Sequence, residues 1–128
     1  MSDRAISKVI ENYCESFRPG NASAILPFCH CPLTVFTHNT FMSLSEPCEI
    51  EAQFSDILSS LIDQQFSHST INNMHTHNLN KNTALVTAEF TRIKNDASIL
   101  EEISATYTLH RNQEGDWKIA VIIVHDTE

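Results

Sequence analysis

Apolar and polar residues alternate strictly along the last quarter of the chain: Ile103, Ala105, Tyr107 and Leu109 are apolar, with Ser104, Thr106, Thr108 and His110 between them. A period of two marks a β-strand with one dry face and one wet or partnered face. The run Trp117 to Val124 is apolar at nearly every position, so both of its faces should be covered. A short polar loop carrying Gly115 separates the two. The amino-terminal pattern has a different period. Ile6, Val9, Ile10, Tyr13, Cys14 and Phe17 form one apolar stripe of an α-helix, which Pro19-Gly20 should stop.

Asn21 can cap a short second helix through Ala22 to Leu26, limited by Pro27 and Pro32. Leu33 to Phe36 reads as a strand, with Phe41 to Leu44 returning across His38-Asn39-Thr40. A long helix comes next. Ser45, Pro47 and the acids Glu46, Glu49 and Glu51 suit its positive end, and Ile50, Phe54, Ile57, Leu58, Leu61 and Ile62 form its stripe. Beyond Gln65 four strands are predicted: 69–79, 83–93, 101–111 and 117–125. Their connections are polar and short, as between antiparallel neighbours. Helices grouped before an antiparallel sheet indicate an α+β fold.

A chain of 128 residues fits a single domain spanning 1–128. Its net charge of −8 argues against a nucleic-acid partner, which demands a basic face. Lys and Arg are scattered singly, so no membrane surface is implied, and no apolar run approaches the ~18 residues that span a bilayer. The first residues are broken by charge every few positions, unlike a secretory signal. Cys14, Cys29, Cys31 and Cys48 are then expected to be reduced thiols of a cytoplasmic protein. Cys29-His30-Cys31, with His38, offers zinc-ligand chemistry, but the spacing is poor and no second pair completes four ligands. No metal is expected. With Gly20 and Gly115 as the only glycines, neither a P-loop nor a dinucleotide fingerprint can form, and no G-x-S-x-G element occurs; no cofactor is implied.

The element order, the segment NKNTALVTAEFTR (Asn80–Arg92) and the segment TYTLHRNQEGDWKIAVIIVHD (Thr106–Asp126) resemble the nuclear-transport-factor-2-like superfamily, in particular its SnoaL-like branch. The resemblance covers essentially the whole chain. It implies a cone: amino-terminal helices packed on the concave face of a strongly curved antiparallel sheet. It also implies a homodimer formed through the outer sheet face, and an apolar pocket inside the cone. These segments are signatures of fold, and the superfamily carries many unrelated activities, so fold is not function.

A symmetric five-residue loop, Asn112 to Asp116, would set Leu109 against Ile119, Tyr107 against Val121, Ala105 against Ile123 and Ile103 against His125. Opposed residues share a face, so Tyr107, Val121 and Ile123 are expected under the helices, with Ile122 and Val124 facing outward. Exposing those two would forgo about 1.5–3 kcal/mol each, which is why that face is read as a dimer surface. A bulge would exchange the faces. The same reasoning sets His75, His77 and Leu79 beside Ala84, Val86 and Ala88, and so points both histidines into the cone with His125 at its rim.

Two functional readings remain open. In one, the protein is a non-catalytic dimeric module that binds a small apolar ligand or a protein partner, with Phe36, Val86, Ala88 and His125 walling the ligand site. In the other it is an isomerase- or lyase-type enzyme, with His75 or His77 as general base and Tyr107 as oxyanion donor. The carboxylates of the superfamily's enzymes have no clear counterparts here: Glu89, Asp56 and Asp63 read as solvated, and Glu101, Glu102 and Asp126 lie at strand ends. Arg92 could pair with an anionic ligand group, but an outward salt bridge at a strand end is the favoured reading. An enclosed pocket with an inward histidine would favour the enzyme, and a filled core the binding module.

Overall fold

The computed structural model describes residues 2–18, 20–37 and 39–125. Helix α1 (Ser2–Glu15) buries Ile6, Ile10 and Tyr13, and Phe17 in the turn beyond it extends the same apolar stripe. The turns expected at Pro19 and His38, and Asp126, fall wholly or partly outside the described residues. Gly20 has φ +73°, a left-handed conformation that costs a residue with a Cβ. Asn21 does act as a cap, accepting from the Ser23 amide at 3.0 Å. The expected short α-helix is instead two single 3₁₀ turns, Ala22–Ala24 and Leu26–Phe28, the second beginning at Pro27's neighbour. Pro27 lacks an N–H and cannot propagate an α-helical ladder.

Strand β1 (Cys29–Phe36) starts earlier than the sequence suggests and pairs with β2 (Phe41–Leu44). Helix α2 (Pro47–Asp63) opens on a capping box in which the side chains of Glu46 and Glu49 satisfy each other's backbone amides. It buries Ile50, Phe54, Leu58 and Leu61. Ile62, at the edge of the predicted stripe, is 57% exposed. The carboxy-terminal half supplies β3 (Phe66–Asn80), β4 (Thr83–Lys94), β5 (Ile99–Arg111) and β6 (Trp117–His125). All six strands form one sheet in the order β2-β1-β6-β5-β4-β3, antiparallel except where β1 runs parallel to β6. The helices lie over one face of this curved sheet, giving the expected α+β cone.

Register shifts in two hairpins change which side chains face inward. In the β5–β6 hairpin Leu109 pairs with Ile119 as expected, but Thr108 pairs with Val121, leaving Ala120 as the extra residue. Beyond it Tyr107 opposes Ile122, Ala105 opposes Val124, and Ser104 rather than Ile103 opposes His125. Ile122 is buried at 5% and Ile123 is 36% exposed. The expected inward positions of Val121 and Ile123 are therefore reversed, because one inserted residue moves every later side chain to the other face.

The β3–β4 hairpin behaves alike. Asn80 pairs with Thr83 across a tight turn at Lys81-Asn82, and the register then shifts at Leu79. Asn78, Thr76 and Met74 consequently oppose Ala84, Val86 and Ala88. His77 and His75 oppose Leu85 and Thr87, on the outer face, and both are exposed. A second shift at Asn72 returns Ile71 and Ser69 to the inner side, opposite Phe90 and Arg92.

Candidate functional site: a cavity between helix α1 and the sheet

The inner faces of β4, β5 and β6 and the buried stripe of α1 meet in an aromatic cluster. Tyr13 packs edge-on against Phe17 (ring centroids 5.2 Å), Tyr107 (5.7 Å) and Phe54 (6.2 Å), and Phe90 packs against Tyr107 (6.4 Å). Edge-to-face pairs of this kind contribute about 0.5–1.5 kcal/mol each beyond area burial. The cluster does not fill the cone completely. A cavity of about 60 Å³ remains, walled by Tyr13, Phe17, Phe90, Tyr107 and Ile122, with Cys14, Ser69 and Arg92 as the other polar or polarisable groups. Pockets that hold drug-sized ligands run to about 300–1,000 Å³, and a cavity of ~150 Å³ accepts benzene. This one suits only a few non-hydrogen atoms.

The rings of Tyr13 and Tyr107 are nine-tenths buried, at 5% and 3% exposure. Their hydroxyls have no hydrogen-bond partner among the described residues, yet no sealed-off side-chain oxygen or nitrogen there lacks one. Both tyrosines line the cavity, and neither phenol oxygen is fully sealed in the core without a partner. Burial pushes both phenols well above their ordinary pKa; for Tyr13 the neighbouring Tyr107 adds to this, and for Tyr107 Cys14 does. They remain protonated donors. Burial also pushes the Cys14 thiol up to about 12, against the pull of Arg92, so it is a neutral wall group and a poor nucleophile.

Arg92 closes one side. It lies in phase with Ala84, Val86, Ala88 and Phe90 along β4, on the inner register. Its Nη1 donates to Glu101 at 2.6 Å, the two side chains being 21% and 44% exposed. The salt bridge expected from the sequence is present, and Arg92 stands between the cavity and a surface groove that it shares with Glu101 and Asp56. Outside, a shallow surface groove shares Cys14 and Ser69 with the cavity and continues past Glu11 and Glu15 of α1 and Ile71 and Met74 of β3. That is the way in.

Of the residues expected at the site, Tyr107 lines the cavity. Val86 and Ala88 are fully buried in the core beside it. His75 and His77 lie on the far side of the sheet. Phe36 is on the outer face as well, stacked on Phe41 with centroids 5.3 Å apart, and His125 Nε2 sits 2.9 Å from Thr106 Oγ1 on that face. Neither therefore walls the cavity, for both keep the outward phase of their strands. Cys29 Sγ and Cys31 Sγ point to the carbonyls of Ile25 and Ser45, so the Cys-His-Cys run is spread over two separate environments. Sequence reasoning missed Tyr13, Ser69 and the inward side of Arg92. The signals were present: Tyr13 is the one hydroxyl in the apolar stripe of α1, and Arg92 continues the period-two series from Ala84.

The chain matches, over residues 2–127, the family described as NTF2-like protein (DUF6841), and it belongs to that family. Solved structures share its fold at low identity. An NTF2-like protein of unknown function from Shewanella oneidensis MR-1 aligns with a TM-score of 0.78 at 12% identity, covering 98% of this chain and 100% of that one. A domain of unknown function with a cystatin-like fold from Nostoc punctiforme PCC 73102 gives 0.78 at 13%, covering 98% and 77%. An NTF2-like protein with a cystatin-like fold from Novosphingobium aromaticivorans gives 0.77 at 12%, covering 95% and 79%. No curated protein matches the chain.

Proposed function

We propose that this NTF2-like chain is a single-domain, dimeric small-molecule-binding protein of the SnoaL-like type, with the cavity between α1 and the sheet as its ligand site. The observation that carries the reading is the pair of deeply buried tyrosines, Tyr13 and Tyr107, which line the cavity and whose hydroxyls have no hydrogen-bond partner among the described residues. A bound molecule or water can supply the hydrogen bonds that these hydroxyls do not make within the described protein. Binding fits better than catalysis, because the described residues lining the cavity include no carboxylate or imidazole to act as a base. The alternative enzyme, with His75 or His77 as base, has only Tyr107 at the cavity.

The dimer rests on the outer face of β1, β2 and β6, where Phe36 (38% exposed), Phe41 (66%) and Ile123 (36%) form an apolar patch. Four unpaired thiols go with a reducing, cytoplasmic setting, and no described helix is long and apolar enough to cross a membrane.

Ligand-observed NMR with a set of small polar-headed fragments tests the site, comparing the natural chain with Ala105→Leu, which fills the cavity from β5. Fragment signals should respond to the natural chain and not to the variant; equal response to both would remove the cavity from consideration. Sedimentation equilibrium tests the dimer: Ile123→Asp should convert a twofold mass into a monomer, and a monomeric natural chain would end that half of the proposal.

A further inference from the structure

We propose, building on the cavity as a ligand site, that its ligand is a short-chain monocarboxylate, held at the carboxylate by Arg92, Tyr13 and Tyr107 with its hydrocarbon end against Phe17, Phe90 and Ile122.

The first ground is the donor inventory. Every strongly polar side chain on the cavity wall donates hydrogen bonds: the hydroxyls of Tyr13, Tyr107 and Ser69, and the Arg92 guanidinium. A carboxylate is acceptor-only, with two oxygens able to take several donors at once. A wall of donors with one cation therefore complements it and leaves none of its lone pairs facing another acceptor. Guanidinium groups bind carboxylates through paired N–H bonds, which fixes orientation as well as charge.

Electrostatics give the second. Glu101 engages Nη1 of Arg92, and the guanidinium has no other hydrogen-bond partner among the described residues. Arginine carries five N–H donors, so an acceptor on the cavity side has donors to meet. The two charges are unequally placed: Arg92 is the more buried and Glu101 the more exposed, so solvent screens the acid more than the base. Arg92 opposes the upward push of burial on Tyr13, Cys14 and Tyr107, in keeping with its place on the same wall.

Size and approach narrow the class. About 60 Å³ is well below the ~150 Å³ cavity that binds benzene, so the buried portion is no larger than a short acid. The rest of the wall, including Phe17, Phe90, Ile103 and Ile122, is apolar, matching an alkyl end rather than a second charge. The groove adjoining the cavity at Cys14 and Ser69 carries Glu11 and Glu15, which repel a phosphate or dicarboxylate more strongly than a single charge.

The test is the melting temperature of the full chain, read by differential scanning fluorimetry at matched ionic strength. The probes are sodium propionate, propionamide, 1-propanol and inorganic phosphate. Propionate should raise the melting temperature in a saturable way, and the other three should not. Arg92→Gln should weaken propionate binding about tenfold or more, as expected for hydrogen bonds to a charged group. Glu101→Gln should retain it. Ala105→Leu, which leaves Arg92 in place, should lose it and serves if Arg92→Gln does not fold.

A shift from propionamide or propanol equal to that from propionate would overturn the carboxylate while leaving a small-molecule cavity in place. A propionate shift that survives Arg92→Gln or Ala105→Leu, or that phosphate reproduces, would mean anion binding elsewhere and overturn the proposal. No shift from any probe, together with no fragment bound by NMR, would bring down the ligand site itself.

Discussion

Strand β5 has two neighbours, and it meets them differently. Against β4 the ladder runs unbroken from Thr83 opposite His110 to Arg92 opposite Glu101. Against β6 it is interrupted after Leu109 and Ile119 by the bulged Ala120. On the unbroken side the inward phase persists as far as Arg92, so Arg92 arrives at the cavity through the same alternation that buries Ala84, Val86, Ala88 and Phe90. On the bulged side the phase flips: Trp117 and Ile119 face inward before Ala120, and Ile122 and Val124 after it. Bulges add local twist, and a sheet wrapped around helices needs that twist. One strand can thus carry its chemistry by periodicity along one edge and by interruption along the other.

The largest expected effect probes the bulged edge directly. Ile122→Ala removes a side chain packed under the helices and should cost about 2–5 kcal/mol in urea unfolding. Ile123→Ala, one residue on and facing outward, should cost less than about 1 kcal/mol below the dimerisation concentration. Equal costs, or the reverse ranking, would mean that Ala120 does not shift the phase.

Alkaline stability sharpens the contrast between the inner wall and the outer face. Burial pushes the thiols of Cys14 and Cys29 up to about 12, with Arg92 and Lys118 respectively opposing. In the unfolded chain they ionise near their ordinary value of about 9. Between those limits the native state holds more protons than the unfolded state, so stability falls as pH rises. It should be complete below pH ~8.5 and decline above it, each thiol adding up to roughly 1.4 kcal/mol per pH unit. Chemical unfolding between pH 8 and 11 measures the slope. Cys14→Ala should make it shallower, and an unchanged slope would show that the thiol is not held neutral by the fold.

The distinction between unbroken and interrupted ladders also explains how much the residues alone reveal. Element order, the boundaries of β6 and the stripes of both helices come from apolar periodicity, because burial of one face is what selects those residues. The β5–β6 pairing was legible as far as Leu109 and Ile119. Beyond that, nothing in Trp117 to His125 marks Ala120 as an inserted residue, since the run is apolar on both phases. Near the other hairpin, the Leu79 shift moved His75 and His77 outward, and three candidate turn residues, Asn80, Lys81 and Asn82, fit more than one register. The cavity was the least legible feature. It arises where α1 fails to close completely over β4 and β5, a property of packing volume rather than pattern.

Polar groups on the two faces make a finer comparison. On the outer face Thr106 Oγ1 lies 3.2 Å from Thr87 Oγ1 and 2.9 Å from His125 Nε2. Thr106→Val removes both interactions and should cost about 0.5–1.5 kcal/mol, the usual net value of such bonds. Thermal or urea unfolding reads this, and a stabilised variant would show that the row does not hold in solution.

Tyr107→Phe should have the smallest effect, although Tyr107 is the more buried of the two residues. The substitution keeps the ring, and with it the edge-on contacts to Tyr13 and Phe90. It removes a hydroxyl without a partner among the described residues, set on the wall of the cavity. In the ligand-free chain that hydroxyl meets at most water, so its loss should change stability by less than about 0.5 kcal/mol in either direction. Had the hydroxyl a hidden protein partner, stranding that partner would cost about 1–3 kcal/mol. A loss of that size in urea unfolding would mean that the inner wall is held by its own polar bonds, as the outer face is. The two faces would then differ only in burial, and the inner hydroxyls would no longer stand available to a ligand.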